Sequence, residues 1–487
     1  MNYFKTFVSA SLAAATLSGC QKEQPEKTNI LFILVDDMQS DAIAALGNRD
    51  TYTPNIDRLI NGGMAFTRTY TNGALCGALS MPSRAMLMTG RGVFEVQSDG
   101  MKIPSSQVTL PEHLRKNGYR TFATGKWHAD RASFARSFSE GENIFFGGMH
   151  PYEQNGHCAP RLYHFDPSGK YEEEAFVGQN FSSEMYADAA VDFLKSTEED
   201  ERPFMAFVSF TSPHDPRNAL PDYGKKYSPA DLSVPDNFLP KHPFDNGELN
   251  IRDEQLLPTP RTPEQLKKEL SLYYGMVSEV DLQIGRVLDA LEESGNLDHT
   301  IVVFASDNGL AMGQNGLIGK QSLYEHSVGV PMAIVTPEGL SAGKRSEALC
   351  YLYDLYPTLC ELVQVETPAS VTGKSLVPVL EGEEKDVRDC MFLAYSNQQR
   401  AVVSGDYKYI IYNVEGKITE QLFNLKQDPG ELVNLAAVEV EKKEELHKLL
   451  QQQMKENHDF CDLSQPLWWK DGHKLTWDEL INLYVFE

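Results

Sequence analysis

Two apolar runs of strand length deliver oxygen ligands at their ends. NILFILV (29–35) is followed by Asp36-Asp37, and TIVVFAS (300–306) by Asp307-Asn308. In an open α/β sheet, functional groups gather beyond the carboxyl ends of the strands. The two ends together offer three carboxylates and one amide, with no His or Cys among them, which suits a hard cation, Ca²⁺ or Mg²⁺, better than Zn²⁺. Each pair also has a plain structural reading, Asp307-Asn308-Gly309 as a turn and Asp36-Asp37 as a helix N-cap. A third cluster is Ser80-Met81-Pro82-Ser83-Arg84. Pro82 places a helix start here and sets Ser80 at or just before it, where free N–H groups and the helix dipole favour an anion. Arg84 lies one turn further on, and read as structure alone the segment is a capped helix. Lys126 and His128 in Gly-Lys-Trp-His, His214 in Ser-Pro-His-Asp-Pro, and Lys320 in Leu-Ile-Gly-Lys add two imidazoles and two ammonium charges. Taken singly, each has the bland reading of a satisfied histidine or a surface lysine.

The elements that must position these groups alternate. Strand candidates are NILFILV, TFATG near 121, PFMAFVSF near 203, TIVVFAS and VPMAIV near 330. Between them lie helical stretches: one from Thr53-Pro54 to Gly62-Gly63, then PEHLRKNG, SSEMYADAAVDFLKS and the long run 262–295. This alternation predicts an α/β fold with a large, mostly parallel, doubly wound sheet flanked by helices, over residues 28–385. Near 385 the character changes. EGEEKDVRD reads as an exposed linker, the short alternating runs RAVVSG, YKYIIYN and EQLFNL as an antiparallel sheet, and EVEKKEELHKLLQQQMKE as a charged helix with one buried stripe. A smaller C-terminal α+β subdomain, 386–487, is therefore expected.

Composition excludes some classes. The 487 residues hold 44 Lys plus Arg against 69 Asp plus Glu, a formal charge of −25, and a nucleic-acid binder needs the opposite balance. Lys5, the apolar stretch Phe7–Leu17 and Leu17-Ser18-Gly19-Cys20 resemble a bacterial lipoprotein signal. Residues 1–19 would be removed, Cys20 lipidated, and residues 20–27 left as a polar tether. The protein is then expected to be exported and held to the membrane, on the periplasmic side or at the cell surface, through the lipid alone. Losing one Lys and no acid leaves the mature chain at −26. The other six cysteines allow fifteen pairings, none preferred.

The segment SMPSRAMLMTG is similar to the signature of the formylglycine-dependent sulfatases, C/S-x-P-S-R followed by a threonine and glycine, in its serine version. NILFILVDD, TPNIDRL, GYRTFATGKWH, SPHDP and SDNG occur in that family's order. LIGKQSLYEHSVGVP and NLKQDPGELVNL follow, so the resemblance spans roughly residues 28 to 436. It implies an alkaline phosphatase-like fold and hydrolysis of sulfate esters on carbohydrate. Ser80 would be the precursor of formylglycine, produced by a sulfatase-maturating enzyme, and Asp36, Asp37, Asp307 and Asn308 the calcium ligands. It places Arg84, Lys126, His128, His214 and Lys320 in the active site. In the implied mechanism one hydroxyl of the hydrated aldehyde attacks sulfur while His214 protonates the departing sugar oxygen. Lys126 and Lys320 neutralise the sulfate oxygens, Arg84 and the metal ease ionisation of the hydrate, and His128 takes the proton as sulfate is expelled.

Other positions belong beside this pattern. Cys76 is followed by GALSM and not by x-P-S-R, and is expected to be structural. Asn315 and Gly329 stand where many relatives carry His and Arg, which bears on substrate subsites. Trp468-Trp469 reads as packing, whereas His150, Arg161 and His164 lie in an irregular insertion from which they could touch substrate. The alternatives are a phosphodiesterase or phosphonate monoester hydrolase of the same superfamily, or a surface glycan-binding lipoprotein without catalysis. The strong negative charge favours a short, trimmed sulfated glycan over an intact polyanion, because exposed like charges repel across about 8 Å at physiological salt.

Overall fold

Every residue of β1 (Asn29–Asp36) is buried, as the unbroken apolar run requires of a strand covered on both faces. In the computed structural model, which describes residues 27–96, 100–200, 202–459, 461, 469–470 and 473–474, β1 is the centre of a nine-stranded sheet. Cys20 with its leader, most of the tether, and Trp468 lie outside the described residues, as does the side chain of Trp469. The other long strands are β2 (Met64–Tyr70), β3 (Arg120–Lys126), β4 (Glu140–Phe145), β5 (Phe204–Pro213), β6 (Thr300–Ser306) and β7 (Gly329–Val335). Their order is β2-β7-β6-β1-β5-β3-β4, with the two-residue strands Arg345–Ser346 and Cys350–Tyr351 both beside β2. Alternate residues of β1 feed two cores: Ile30, Phe32 and Leu34 one face, Leu31, Ile33 and Val35 the other.

β1 pairs in parallel with β5 and β6, and the β6 register sets Asn29 opposite Thr300 and Val35 opposite Ser306. That register is what brings Asp36-Asp37 alongside Asp307-Asn308. β7 departs from the parallel pattern, running antiparallel to both β6 and β2, so the sheet is mixed. A parallel return needs a crossover to the far end of the sheet, usually on a helix. Residues 307–328 hold only the four-residue helix Glu325–Val328, so the chain turns and re-enters from the end it left.

Four helices matter for the site. α1 (Pro54–Gly62), α3 (Ser182–Ser196) and α4 (Pro263–Glu293) cover the face with Leu31 and Ile33. α4 begins at a Thr262–Gln265 capping box and carries a long apolar stripe. α2 (Ser80–Thr89) lies on the opposite face, almost wholly buried, and ends at Gly90 in the left-handed conformation. Among the described residues, no helix is long and apolar enough to cross a membrane.

The second sheet is a meander of β8 (Cys390–Tyr395), β9 (Gln399–Ser404), β10 (Tyr407–Val414) and β11 (Lys417–Asn424), backed by α5 (Val440–Glu456) through Leu446, Leu450 and Met454. Its fifth strand, Gly73–Ala74, comes from the N-terminal part of the chain and pairs in parallel with β8. A Cβ at Gly73 would sit 1.9 Å from the Ala394 carbonyl oxygen at φ +101°, so only glycine permits this contact. The charged segment before β8 is exposed through Asp386 but then anchored: Arg388 pairs with the fully buried Asp354. Cys158, Cys350, Cys360 and Cys390 are thiols.

Candidate active site

The carboxyl ends of β1, β3, β5 and β6 and the first turn of α2 meet in one buried cluster. Asp36 ends β1, and Asp37 follows with φ +64°, a left-handed turn that a non-glycine residue adopts at a cost. Ser80 is the first residue of α2 and 2% exposed. Its Oγ lies 2.8 Å from Asn308 Oδ1 and 3.2 Å from Asp36 Oδ1, and accepts from Lys320 Nζ at 3.1 Å. The hydroxyl is thus turned toward the strand ends and does not cap its helix.

Cations hold the carboxylates. Lys126 Nζ donates to Asp36 Oδ2 at 2.5 Å, and Lys320 Nζ to Asp37 Oδ1 at 2.6 Å. Arg84 Nε donates to Asp307 Oδ2 at 2.7 Å, while its Nη1 reaches the Lys126 carbonyl at 2.8 Å and Ser209 Oγ at 2.6 Å. Ser83 Oγ donates to the Asp307 carbonyl at 2.6 Å, which locks α2 to the end of β6. β3 can approach because Gly125 precedes Lys126: a Cβ there would meet the Ser209 carbonyl at 1.8 Å.

Burial pushes the Asp36 carboxyl up, but Lys126, His214, Arg84 and Lys320 together hold it well below the usual range. Burial and then the Asp36 charge raise Asp307 to about 6, against the pull of Arg84 and Lys126. Burial lowers Lys126 despite Asp36, whereas Lys320 is raised because Asp37 and Asp36 outweigh its burial. His128, also at positive φ, is driven well below 6.5 by burial and by Lys126 and Arg84, and its buried Nδ1 has no hydrogen-bond partner among the described residues. His214 Nδ1 lies 2.8 Å from the Asp215 carbonyl, so the ring presents Nε2, 3.6 Å from Asp37 Oδ2.

The cluster also fits a cation. Ligand atoms of Asp36, Asp37 and His214 lie within 4.8 Å of one another. Asn308 turns its Oδ1 to Ser80 while its Nδ2 is fixed on Asp37 at 2.6 Å. Carboxylates with about four acceptor sites each retain capacity after these bonds, and an all-oxygen set built from Asp36, Asp37, Asp307 and Asn308 suits Ca²⁺.

A family model, Sulfatase, matches residues 28–365, which include this whole cluster. The chain belongs to the sulfatase family. It is a sulfuric ester hydrolase, and a second model, N-sulphoglucosamine sulphohydrolase C-terminal, matches residues 313–459 of this sulfatase. It is 28% identical to an N-acetylglucosamine-6-O-sulfatase of Bacteroides thetaiotaomicron, covering 92% of this chain and 90% of that one. It is 29% identical to an arylsulfatase of Clostridium perfringens over 84% and 90% of the two chains. Among solved structures it resembles a protein in complex with its substrate D-glucosamine-2-N,6-O-disulfate, with TM-score 0.74, 23% identity and 91% and 100% coverage. A phosphonate monoester hydrolase of Agrobacterium radiobacter matches with TM-score 0.69, 24% identity and 88% and 96% coverage. At these identities the structural matches establish the shared alkaline phosphatase-like fold.

Not every residue singled out in the sulfatase sequence reaches the cluster. His150 is buried and turned to Tyr186, its Nε2 3.1 Å from the phenol oxygen, with its ring against Phe145. Arg161 bonds Gln154, and His164 pairs with Glu142 on the exposed side. Asn315 is tied to Asn237 and the Glu431 carbonyl, and Gly329 opens β7 opposite Tyr70 of β2. Cys76 Sγ lies 3.3 Å from the Ala78 carbonyl. The structure adds residues not singled out in the sequence. His157 Nε2 donates to the His214 carbonyl at 3.0 Å while Nδ1 meets Ser182 Oγ at 2.8 Å, and burial lowers it to about 4. Asp215, Arg252, Asp253 and Gln321 form a second polar chain beside His214.

Proposed function

We propose that this sulfatase removes sulfate from carbohydrate esters through a formylglycine made from Ser80, with Ca²⁺ held by Asp36, Asp37, Asp307 and Asn308. The observation that carries the reading is the setting of Ser80: a buried hydroxyl at a helix N-terminus, held by an acid, an amide and a lysine. Formylglycine at position 80 would, as its hydrate, offer one hydroxyl to form a bond to sulfur as the sulfur bond to the sugar oxygen breaks, and a second whose deprotonation would release sulfate and restore the aldehyde. A cation held by these four residues would supply positive charge that eases ionisation of the nucleophile. Lys126 and Lys320 hold two of those oxygens as point charges. His214 delivers its Nε2 proton to the departing sugar oxygen. His128, kept neutral by burial and its cationic neighbours, accepts a proton in the second stage. Arg84 holds Asp307 and the end of β3 in place.

The carbohydrate part of the reading draws support from the relatives named for aminosugar sulfates. Cys20 as a lipid anchor, export to the periplasm or cell surface, and a serine-competent maturating enzyme as partner complete it. Mass spectrometry of the Ser80 peptide from the native host tests it, with a loss of about 2 Da expected. An unmodified serine in fully active enzyme would refute the mechanism. Faster turnover of an aryl phosphate diester than of an aryl sulfate would favour the diesterase reading instead.

A further inference from the structure

We propose that Arg252 and Asp253 are the residues that read the sugar beside the departing oxygen, and that this sugar is otherwise uncharged. The proposal rests on the sulfatase reading with His214 as proton donor. With Nδ1 directed to the Asp215 carbonyl, Nε2 is the nitrogen facing the reaction, so the departing oxygen and its sugar must lie on the His214 side of the cluster. Immediately beyond His214, Asp215 is gripped through both oxygens by Arg252, with Nη1 at 3.0 Å from Oδ1. The same guanidinium donates to Asp253 Oδ1 at 3.1 Å. Asp253 Oδ2 accepts from Gln321 Nε2 at 2.7 Å, and Gln321 Oε1 accepts the Lys320 backbone N–H at 3.0 Å. A polar chain therefore joins the residue after the proton donor to the residue after the sulfate-binding lysine.

Within this chain the outward group is Arg252, 45% exposed, against 8% for Asp215 and 16% for Asp253. Its three bonds leave N–H donors of the five-donor fork unused. A donor fork next to a carboxylate is matched to neighbouring hydroxyls, one accepting from Arg252 and the other donating to Asp253. Charge decides what else the sugar can carry. Two carboxylates against the Arg252 guanidinium leave this edge net negative, since Arg217, the other cation near Asp215, is paired with Glu269 at 2.7 Å and Lys320 is assigned to the sulfate being removed. A second sulfate or a uronate on the same ring would meet unbalanced negative charge, as like charges close together disfavour one another.

The test uses enzyme with confirmed modification of Ser80, a panel of monosulfated neutral hexoses and N-acetylhexosamines, and the same sugars carrying a second sulfate. The best monosulfated sugar is expected to exceed its disulfated counterpart by about 10-fold or more in kcat/KM. Asp253→Asn should narrow that ratio to within about 3-fold, because it removes the repelling charge. Arg252→Gln should lower kcat/KM on the monosulfated sugar by roughly 10- to 100-fold, mostly through KM, as for loss of hydrogen bonds to a charged group. Inhibition by inorganic sulfate, which samples only the sulfate pocket, should stay within about 3-fold. Disulfated sugars turned over as fast as monosulfated ones, or sulfate inhibition weakened in step with sugar turnover in Arg252→Gln, would overturn the proposal, the latter showing a purely structural role. Release of no sulfate from any panel member by modified enzyme would instead defeat the sulfatase reading, and this proposal with it.

Discussion

Glu279, midway along α4, is 1% exposed, and its carboxyl accepts from Gln283 Nε2 at 3.0 Å with the Ser183 hydroxyl beside it. Burial raises it from 4.5 to about 7. The folded protein thus binds this proton more tightly than the unfolded chain does. Stability is unaffected below the unfolded value, falls as pH rises from about 4.5 to 7, and stays lowered above. A shift of about 2.5 units at about 1.36 kcal/mol each sets the full penalty near 3 kcal/mol. Glu279→Gln keeps the shape and removes the ionisation. Urea unfolding of both proteins should show the variant more stable by about 3 kcal/mol at pH 8 and by less than about 1 kcal/mol at pH 5. All other titrating groups are common to both proteins, so the pH dependence of the difference isolates this carboxyl. A difference that is flat with pH, or that shrinks toward pH 8, would refute the argument from burial.

Ser80→Ala should lower the unfolding free energy by no more than about 1 to 3 kcal/mol, as for loss of a buried hydrogen-bonding partner, while losing on the order of 10⁴-fold or more in turnover, measured by released sulfate. Chelation of divalent cations should abolish activity and lower the thermal midpoint, and added Ca²⁺ should restore both; at 100 times its Kd a ligand stabilises by about 2.7 kcal/mol. An unchanged midpoint with intact activity would count against a metal at Asp36 and its neighbours. Arg388→Met leaves the fully buried Asp354 without its cation and should destabilise by about 3 to 5 kcal/mol in urea unfolding. Asp354→Asn in the same background should recover part of that loss.

Much of the site was legible because its residues sit in short local patterns. An apolar run followed by two acids marks a buried strand delivering carboxylates to the sheet edge, and Ser-x-Pro-Ser-Arg marks a helix start with a hydroxyl at its mouth. Periodicity carries no strand direction, however. VPMAIV read as one more strand, and its reversal came from a connection that stays at one end of the sheet. His150 stands in an irregular insertion from which contact with substrate is expected, yet it is buried between Phe145 and His157. His157 and Arg252 were invisible for the converse reason: each lies in irregular sequence, 57 and 37 residues from its partner at 214 and 215.

The sequence by itself determined the chemistry available: which strands end in oxygen ligands and where a helix N-terminus meets a hydroxyl. Those are properties of residue type and local spacing. Only the tertiary structure decided which charge answers which. Parallel registry of β1 and β6 set Asp36 beside Asp307. The carbonyl-to-Cβ approach at Gly125 let β3 carry Lys126 onto Asp36. The return of the chain after β6 brought Lys320 to Asp37 and Ser80. Buried charges must be paired, and the pairing follows from contacts between segments as many as 283 residues apart, which no local pattern encodes.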